Sequence, residues 1–355
     1  MRKKAKHFLF MLIMYILPVL SIELLARILF AQPVMPSILP LGITGYIPSN
    51  SFKLIYELNP LYPGINSLGM RDDEIDPSTL HENFVIAVIG DSHTYSVQSA
   101  KREDSFPARL EYHLKALTGK KIKVLNFGVP GYDMHQELEV LQAKALKLKP
   151  NLLILQYCIN DEHISNLIQP KYKWLNYAIS QSVALSRVWE RVLYSEFGER
   201  HLLSYVERYF PDLLLYSPGL VGAPWSQDEK DPAHAPHPSR SKDLVPVRYH
   251  DFIGRENLER DVKSFGELSK NAGIPTLATG FIEDEDRKLY EVSGFKVHSF
   301  FQIFRGRDMR NYGYDPSNTA SHFAESGYDF IGKALADFIN ANFSLSQRYE
   351  LSTAK

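Results

Sequence analysis

Three short apolar runs, residues 85–89, 122–127 and 152–157, recur along the first half of the chain without the alternation of a half-exposed strand. Such runs, rich in Val, Ile and Leu, predict strands buried on both faces of a parallel sheet. Between them the period lengthens. Ser105 and Pro107 open a helix that Gly119 closes, with Phe106, Leu110, Leu114 and Leu117 on one face. Asp133 and Gln136 form a capping box for the next helix, which carries Leu138, Leu141 and Leu148 and stops before Pro150. Later the rhythm returns. A helix is expected over 255–271, a strand over 276–281, a charged helix over 283–292 and a strand over 295–301. The last helix starts around 321–328 and buries Ile331, Leu335, Phe338 and Ile339. Strands alternating with helices through short connections predict right-handed crossovers, and so a parallel sheet between two helical layers.

The interruption has a different texture. Residues 164–215 read as helical and aromatic, with Trp174, Tyr177, Trp189, Tyr194, Tyr205 and Phe210. Residues 216–246 read as a long loop of Pro, Ser, Asp and His, and the whole of 164–246 as an insertion over the sheet edge. His234 and His237 have no carboxylate or cysteine at ligand spacing, so no metal site is expected there. At the amino end, Arg2, Lys3, Lys4 and Lys6 precede an apolar run over 8–22. Glu23 and Arg27 interrupt that run, and 8–30 as a whole reaches bilayer length. No small-x-small cleavage site follows. Residues 1–31 therefore read as an uncleaved signal anchor, a transmembrane helix with its basic end in the cytoplasm and the rest of the chain periplasmic or extracellular. Residues 32–60, rich in Pro, Gly and Ser, read as a linker, 61–345 as one α/β domain and 346–355 as a tail. A formal net charge of −1 over 355 residues gives no reason to expect a nucleic-acid partner. The single cysteine, Cys158, rules out an intramolecular disulfide, and no Gly-rich phosphate loop calls for a nucleotide cofactor.

Each expected strand ends in polar or glycine punctuation: Gly90-Asp91-Ser92 after the first, Gly131 after the second, Asn160 after the third. His322 stands just before the last helix. In a doubly wound sheet the carboxyl ends of the strands form the ligand-binding edge, so these four positions share it. Acyl transfer by a serine needs a base for the hydroxyl proton, donors for the developing oxyanion and something to orient the base. His322 suits the first role, because an imidazole titrates near neutral pH. The backbone N–H groups of Ser92 and Gly131 and the Asn160 amide suit the second. The competing reading of Asp91 and Ser92 is a simple turn cap. His93 reads as a capping or substrate-edge residue, Asp161 as a loop anchor within Asp161-Glu162-His163, and Arg71 as half of a structural salt bridge.

In four segments the chain resembles the SGNH (GDSL-type) hydrolases. Gly90-Asp91-Ser92-His93-Thr94-Tyr95-Ser96 looks like the first block, which bears the nucleophile, and Asn126-Phe127-Gly128-Val129-Pro130-Gly131 looks like the second, whose last glycine supplies an oxyanion N–H. Ile159-Asn160-Asp161 resembles the third, and His322-Phe323-Ala324-Glu325-Ser326-Gly327-Tyr328 the last, which carries the base. The resemblance spans roughly 66–345 apart from the insertion. It implies a flavodoxin-like α/β/α sandwich and hydrolysis or transfer of esters, often acetyl groups on sugars, with no cofactor. Two positions depart from the pattern. Cys158 stands at the usual glycine of the third block, and Thr319 at the aspartate that normally orients the base. Asp315, seven residues before His322, is the nearest upstream acid; Asn318 or a backbone carbonyl would be the substitute. The expectation is a membrane-anchored serine esterase acting on an ester-bearing small molecule or glycan, or on a lipid-linked substrate. An O-acyltransferase on a cell-surface polysaccharide and a non-catalytic glycan-binding or assembly protein are the alternatives.

Overall fold

The computed structural model describes residues 2–30, 45–164, 247–318 and 321–345, together with Trp174, Ser182 and Ala184. The rest of the expected insertion with His234 and His237, the tail from 346 and Thr319 lie outside the described residues.

Helix α1 covers Arg2–Phe30 with Pro18 inside it. Its described large apolar side chains, among them Phe10, Tyr15, Leu20 and Ile28, are exposed, and Ala26 is buried. Among the described residues no helix is long and apolar enough to cross a membrane. Strands β1 (Tyr46–Pro48) and β2 (Tyr56–Leu58) pair antiparallel. This corrects the expected linker, whose second half is folded. Tyr46, Tyr56 and Leu58 alternate inward and join the main core, with the Tyr46 and Tyr56 rings edge-on at 5.2 Å. Proline and glycine content had hidden a period-two pattern only three residues long on each side.

The domain proper is β3 (Phe84–Gly90), the single turn α2 (Ser92–Tyr95), α3 (Phe106–Thr118), β4 (Ile122–Gly128), α4 (Met134–Ala143) and β5 (Leu152–Tyr157). After the insertion come α5 (Arg255–Asn271), β6 (Thr276–Gly280), α6 (Asp284–Val292), β7 (Phe295–Val297), the turn α7 (Phe300–Ile303) and α8 (Glu325–Asn342). The five strands pair in the order β4-β3-β5-β6-β7, all parallel. In sequence terms that is 2-1-3-4-5, the flavodoxin-like order, whose switch point lies at β3. Alternate residues of β3 feed two cores. Val85, Ala87 and Ile89 pack toward Leu141 of α4 and Val262 and Phe265 of α5. Ile86 and Val88 pack toward Leu110 and Leu114 of α3 and Ile331 and Leu335 of α8. The result is the expected three-layer α/β/α sandwich, with each fully buried Leu or Ile contributing about 1.5–3 kcal/mol.

The helix signals hold where they are chemical. Ser105 accepts from Ala108 N, Gly119 ends α3 at φ 67°, and the Asp133/Gln136 capping box is formed. They fail where apolar content stood in for geometry. The strand expected over 295–301 stops at Val297, because Ser299 accepts from Gln302 N and starts a helical turn. Leu117 is left 49% exposed on the end of α3.

Candidate active site

The nucleophile turn is seated by two glycines that end neighbouring strands at one level, Gly90 paired with Gly128. A Cβ on Gly90 would lie 2.2 Å from Thr94 Oγ1, and one on Gly128 would lie 2.2 Å from Tyr95 N. The turn therefore packs directly on the sheet edge, closer than any side chain allows. Asp91 caps it, accepting from His93 N at 3.0 Å through Oδ1. Thr94 donates to Gln156 Oε1 on β5 from both its backbone N (3.1 Å) and its Oγ1 (2.9 Å). Asp91 is thus the expected turn cap, and the turn it opens carries Ser92 at the sheet edge.

Ser92 Oγ lies 2.7 Å from His322 Nε2, bridging 230 residues of sequence, and 3.2 Å from Asp91 Oδ2. The hydroxyl has one proton and two acceptors in reach; the imidazole is the closer. As the first residue of α2, Ser92 has an amide with no intrahelical acceptor. The second segment arrives beside it, because Val129 N donates to Gly90 O at 3.1 Å and Gly131 turns there at φ 80°. Asn160, from the turn after β5, donates through Nδ2 to Tyr132 O at 3.1 Å, which places its amide against the Tyr132–Asp133 peptide, one residue past Gly131. Ser92, Gly131, Asn160 and His322, expected from the sequence, are brought together at one sheet edge.

Asp315 is not with them. Its carboxylate is exposed and accepts from Ser317 N (3.0 Å) and Ser317 Oγ (2.7 Å), and it forms no hydrogen bond or ion pair with His322. These local bonds hold the carboxylate within an Asx turn, while the Asp315 backbone N donates to Ser321 Oγ at 2.7 Å. His93 sits at the edge of the site. It is largely buried yet borders the neighbouring cleft, and its ring lies within 6.5 Å, centroid to centroid, of Phe281, Phe300, Tyr314, His322 and Phe323. Asp161 anchors its loop as expected, accepting from Cys158 N at 3.1 Å, while Glu162 pairs with Arg255 at 3.3 Å. Arg71 makes no salt bridge among the described residues; its donors go to backbone carbonyls and a serine hydroxyl.

The ground beneath the site is acidic and dry. Asp91, Asp133, Glu137 and Asp161 are all buried. Burial pushes each carboxyl up from its ordinary range, and the like charges of their neighbours raise Glu137 and Asp161 further. The Cys158 thiol is buried, and burial first, with the charges of Asp91 and Asp161 behind it, pushes it up from its ordinary range. A cleft of about 910 Å³ borders His93, lined by Tyr157, Ile159, Phe281, Phe301 and Tyr314 and by seven charged side chains, Arg255, Glu285 and Arg307 among them.

Sequence reasoning missed the brace behind the second segment. Tyr56 Oη donates to Pro130 O at 2.8 Å, Tyr132 Oη donates to Tyr56 O, and Gln136 Nε2 donates to Leu54 O at 2.7 Å. The hold on Thr94 did leave a signal: Gln156, an amide near the end of an otherwise apolar strand. No protein-family model and no curated protein matches the chain. Among solved structures it is similar to LAE5, an alpha/beta hydrolase enzyme from the metagenome of Lake Arreo, Spain, at 13% identity and TM-score 0.41 over 75% of this chain and 100% of that one. It is similar to the psychrotrophic esterase EstA from Pseudoalteromonas sp. at 12% identity and TM-score 0.36 over 73% and 98%. A GDSL-like lipase from Bacteroides thetaiotaomicron overlaps at 10% identity and TM-score 0.35 over 73% and 89%. Overlaps this loose carry no argument about chemistry, which has to come from the site itself.

Proposed function

We propose that this protein is a serine esterase. The observation that carries the proposal is the 2.7 Å approach of His322 Nε2 to Ser92 Oγ at the carboxyl edge of a parallel sheet. His322 takes the Ser92 proton as the oxygen attacks an ester carbonyl. The negative charge that forms on the carbonyl oxygen is met by the Ser92 and Gly131 amides and the Asn160 side chain. His322 then returns the proton to the departing alcohol, leaving an acyl group on Ser92. Water, activated by the same imidazole, releases the acid and restores the serine. The cleft bordering His93, part aromatic and part charged, suits a sugar ring as part of the substrate.

The experiment is p-nitrophenyl acetate hydrolysis together with labelling by a fluorophosphonate. Wild-type protein turns over the ester and takes up the label, and Ser92→Ala does neither; equal labelling of the two ends the esterase reading. Product analysis with and without an acceptor sugar separates hydrolysis from acyl transfer. We also propose that the basic, apolar amino end anchors the site outside the cytoplasm. The four cations at residues 2–6 and the apolar run after them support this. Activity of a cytoplasm-only reporter fused after Lys355 would refute it.

A further inference from the structure

Arg71 lies outside every segment that builds the site, yet its guanidinium is buried, with 6% of the residue exposed. A buried cation with no carboxylate partner among the described residues persists only if its donors are met. They are met by one stretch of chain. Nη1 donates to Tyr95 O and Ser96 O, both at 2.7 Å, and to Ser99 Oγ at 3.1 Å, and Nη2 donates to Ser99 O at 2.7 Å. The group also lies 4.7 Å from the centroid of the Tyr95 ring.

Those carbonyls close the nucleophile turn. A single helical turn is not self-supporting, and its last carbonyls have no partner within the helix. Here the closing residue is Ser96, a non-glycine held in the left-handed region at φ 65°, ψ 61°. The closure bears on the nucleophile directly, because Ser96 N and Val97 N both donate to Ser92 O, at 2.8 and 3.2 Å. Ser96 Oγ donates to His93 O at 3.1 Å and accepts from Phe106 N at 3.0 Å, which ties the same corner to the start of α3.

We propose that Arg71 is a positioning residue. By holding the carbonyls of Tyr95, Ser96 and Ser99 it fixes the left-handed corner that aims Ser92 Oγ at His322 Nε2 and presents the Ser92 amide to the oxyanion. The proposal rests on Ser92 being the nucleophile. A planar fork is required, because one side chain must reach carbonyls in two directions; an ammonium at the end of a lysine meets them as a point. Misplacing an attacking atom by about 1 Å costs on the order of 100-fold in rate.

The test compares wild type, Arg71→Lys, Arg71→Gln and the distant core variant Val262→Ala, using p-nitrophenyl acetate kinetics and amide hydrogen exchange. Both Arg71 variants are expected to lose about 10–100-fold in kcat with KM nearly unchanged, and to exchange the Ser96 and Val97 amides faster. Val262→Ala is expected to lower Tm and leave kcat and those two amides as in wild type. If Arg71→Gln does not fold, Arg71→Lys decides alone, since it keeps the charge and the length. Wild-type kcat and wild-type exchange in the Arg71→Lys protein would overturn the proposal. Should wild type prove no faster than Ser92→Ala, the esterase reading falls, and exchange at Ser96 and Val97 still decides whether Arg71 holds the turn.

Discussion

The rings of His93 and His322 lie 4.6 Å apart, centroid to centroid, with their planes 31° from parallel. His93 therefore packs against the His322 imidazole, and is itself packed against Phe281 and Phe323. Its Nδ1 has no hydrogen-bond partner among the described residues. Burial first, and the charge of His322 second, push its pKa well below the ordinary value, so it stays neutral against the base.

Stability should follow that shift. A depressed histidine contributes fully above its unfolded pKa of about 6.5 and loses that contribution as pH falls, by about 1.4 kcal/mol at pH 5.5. His93→Phe keeps the ring and removes the titration. Its Tm is expected to fall less than that of wild type between pH 7.5 and 5.5; parallel falls would show that His93 is not the group involved.

Asp315 gives a prediction of no effect. Loss of a triad acid costs about four orders of magnitude in kcat, whereas here the carboxylate serves Ser317. Asp315→Asn is expected to hydrolyse p-nitrophenyl acetate at close to the wild-type rate. A thousandfold loss would make Asp315 the orienting acid after all.

Asn160 is expected to act only in the transition state. Removing one oxyanion donor lowers kcat by about 100–1,000-fold, so Asn160→Ala should show that loss with KM little changed. A rise in KM at constant kcat would instead make the amide a ground-state contact, or a mere prop for Tyr132 O.

Glu137 carries the opposite pH signature from His93. Both of its oxygens lack partners among the described residues, and burial, with the charges of Asp161, Asp91 and Asp133 behind it, raises its pKa well above the ordinary value. A raised carboxyl contributes fully below its unfolded pKa of about 4.3, and the contribution is lost as pH rises through the folded value. Glu137→Gln is therefore expected to raise Tm more at pH 8 than at pH 5, as thermal melts across that range would show. An equal change at both would mean that Glu137 ionises freely in the fold.

Gly128 tests the seating of the turn. A Cβ there meets Tyr95 N at 2.2 Å and Thr94 C at 2.6 Å, both backbone. Gly128→Ala is expected to cost about 1–3 kcal/mol and to displace Ser92 from His322. Melting and ester turnover should fall together; a fully active, stable variant would show that the turn has room to move.

The sequence by itself determined the sheet, its parallel sense and four of the site groups. Buried strands leave an unalternating apolar signature, and the chemistry at their ends is written as residue identity: a serine, a bare glycine, an amide, an imidazole. What it could not carry was direction. Only the tertiary structure decided that Arg71 caps carbonyls instead of pairing with an acid, that Asp315 turns to its own loop, that His93 packs against the base, and that residues 46–58 brace the oxyanion segment. Apart from the Asp315 turn, whose bonds span two residues, those outcomes depend on contacts between groups 24 or more positions apart, and local periodicity holds no record of such distances.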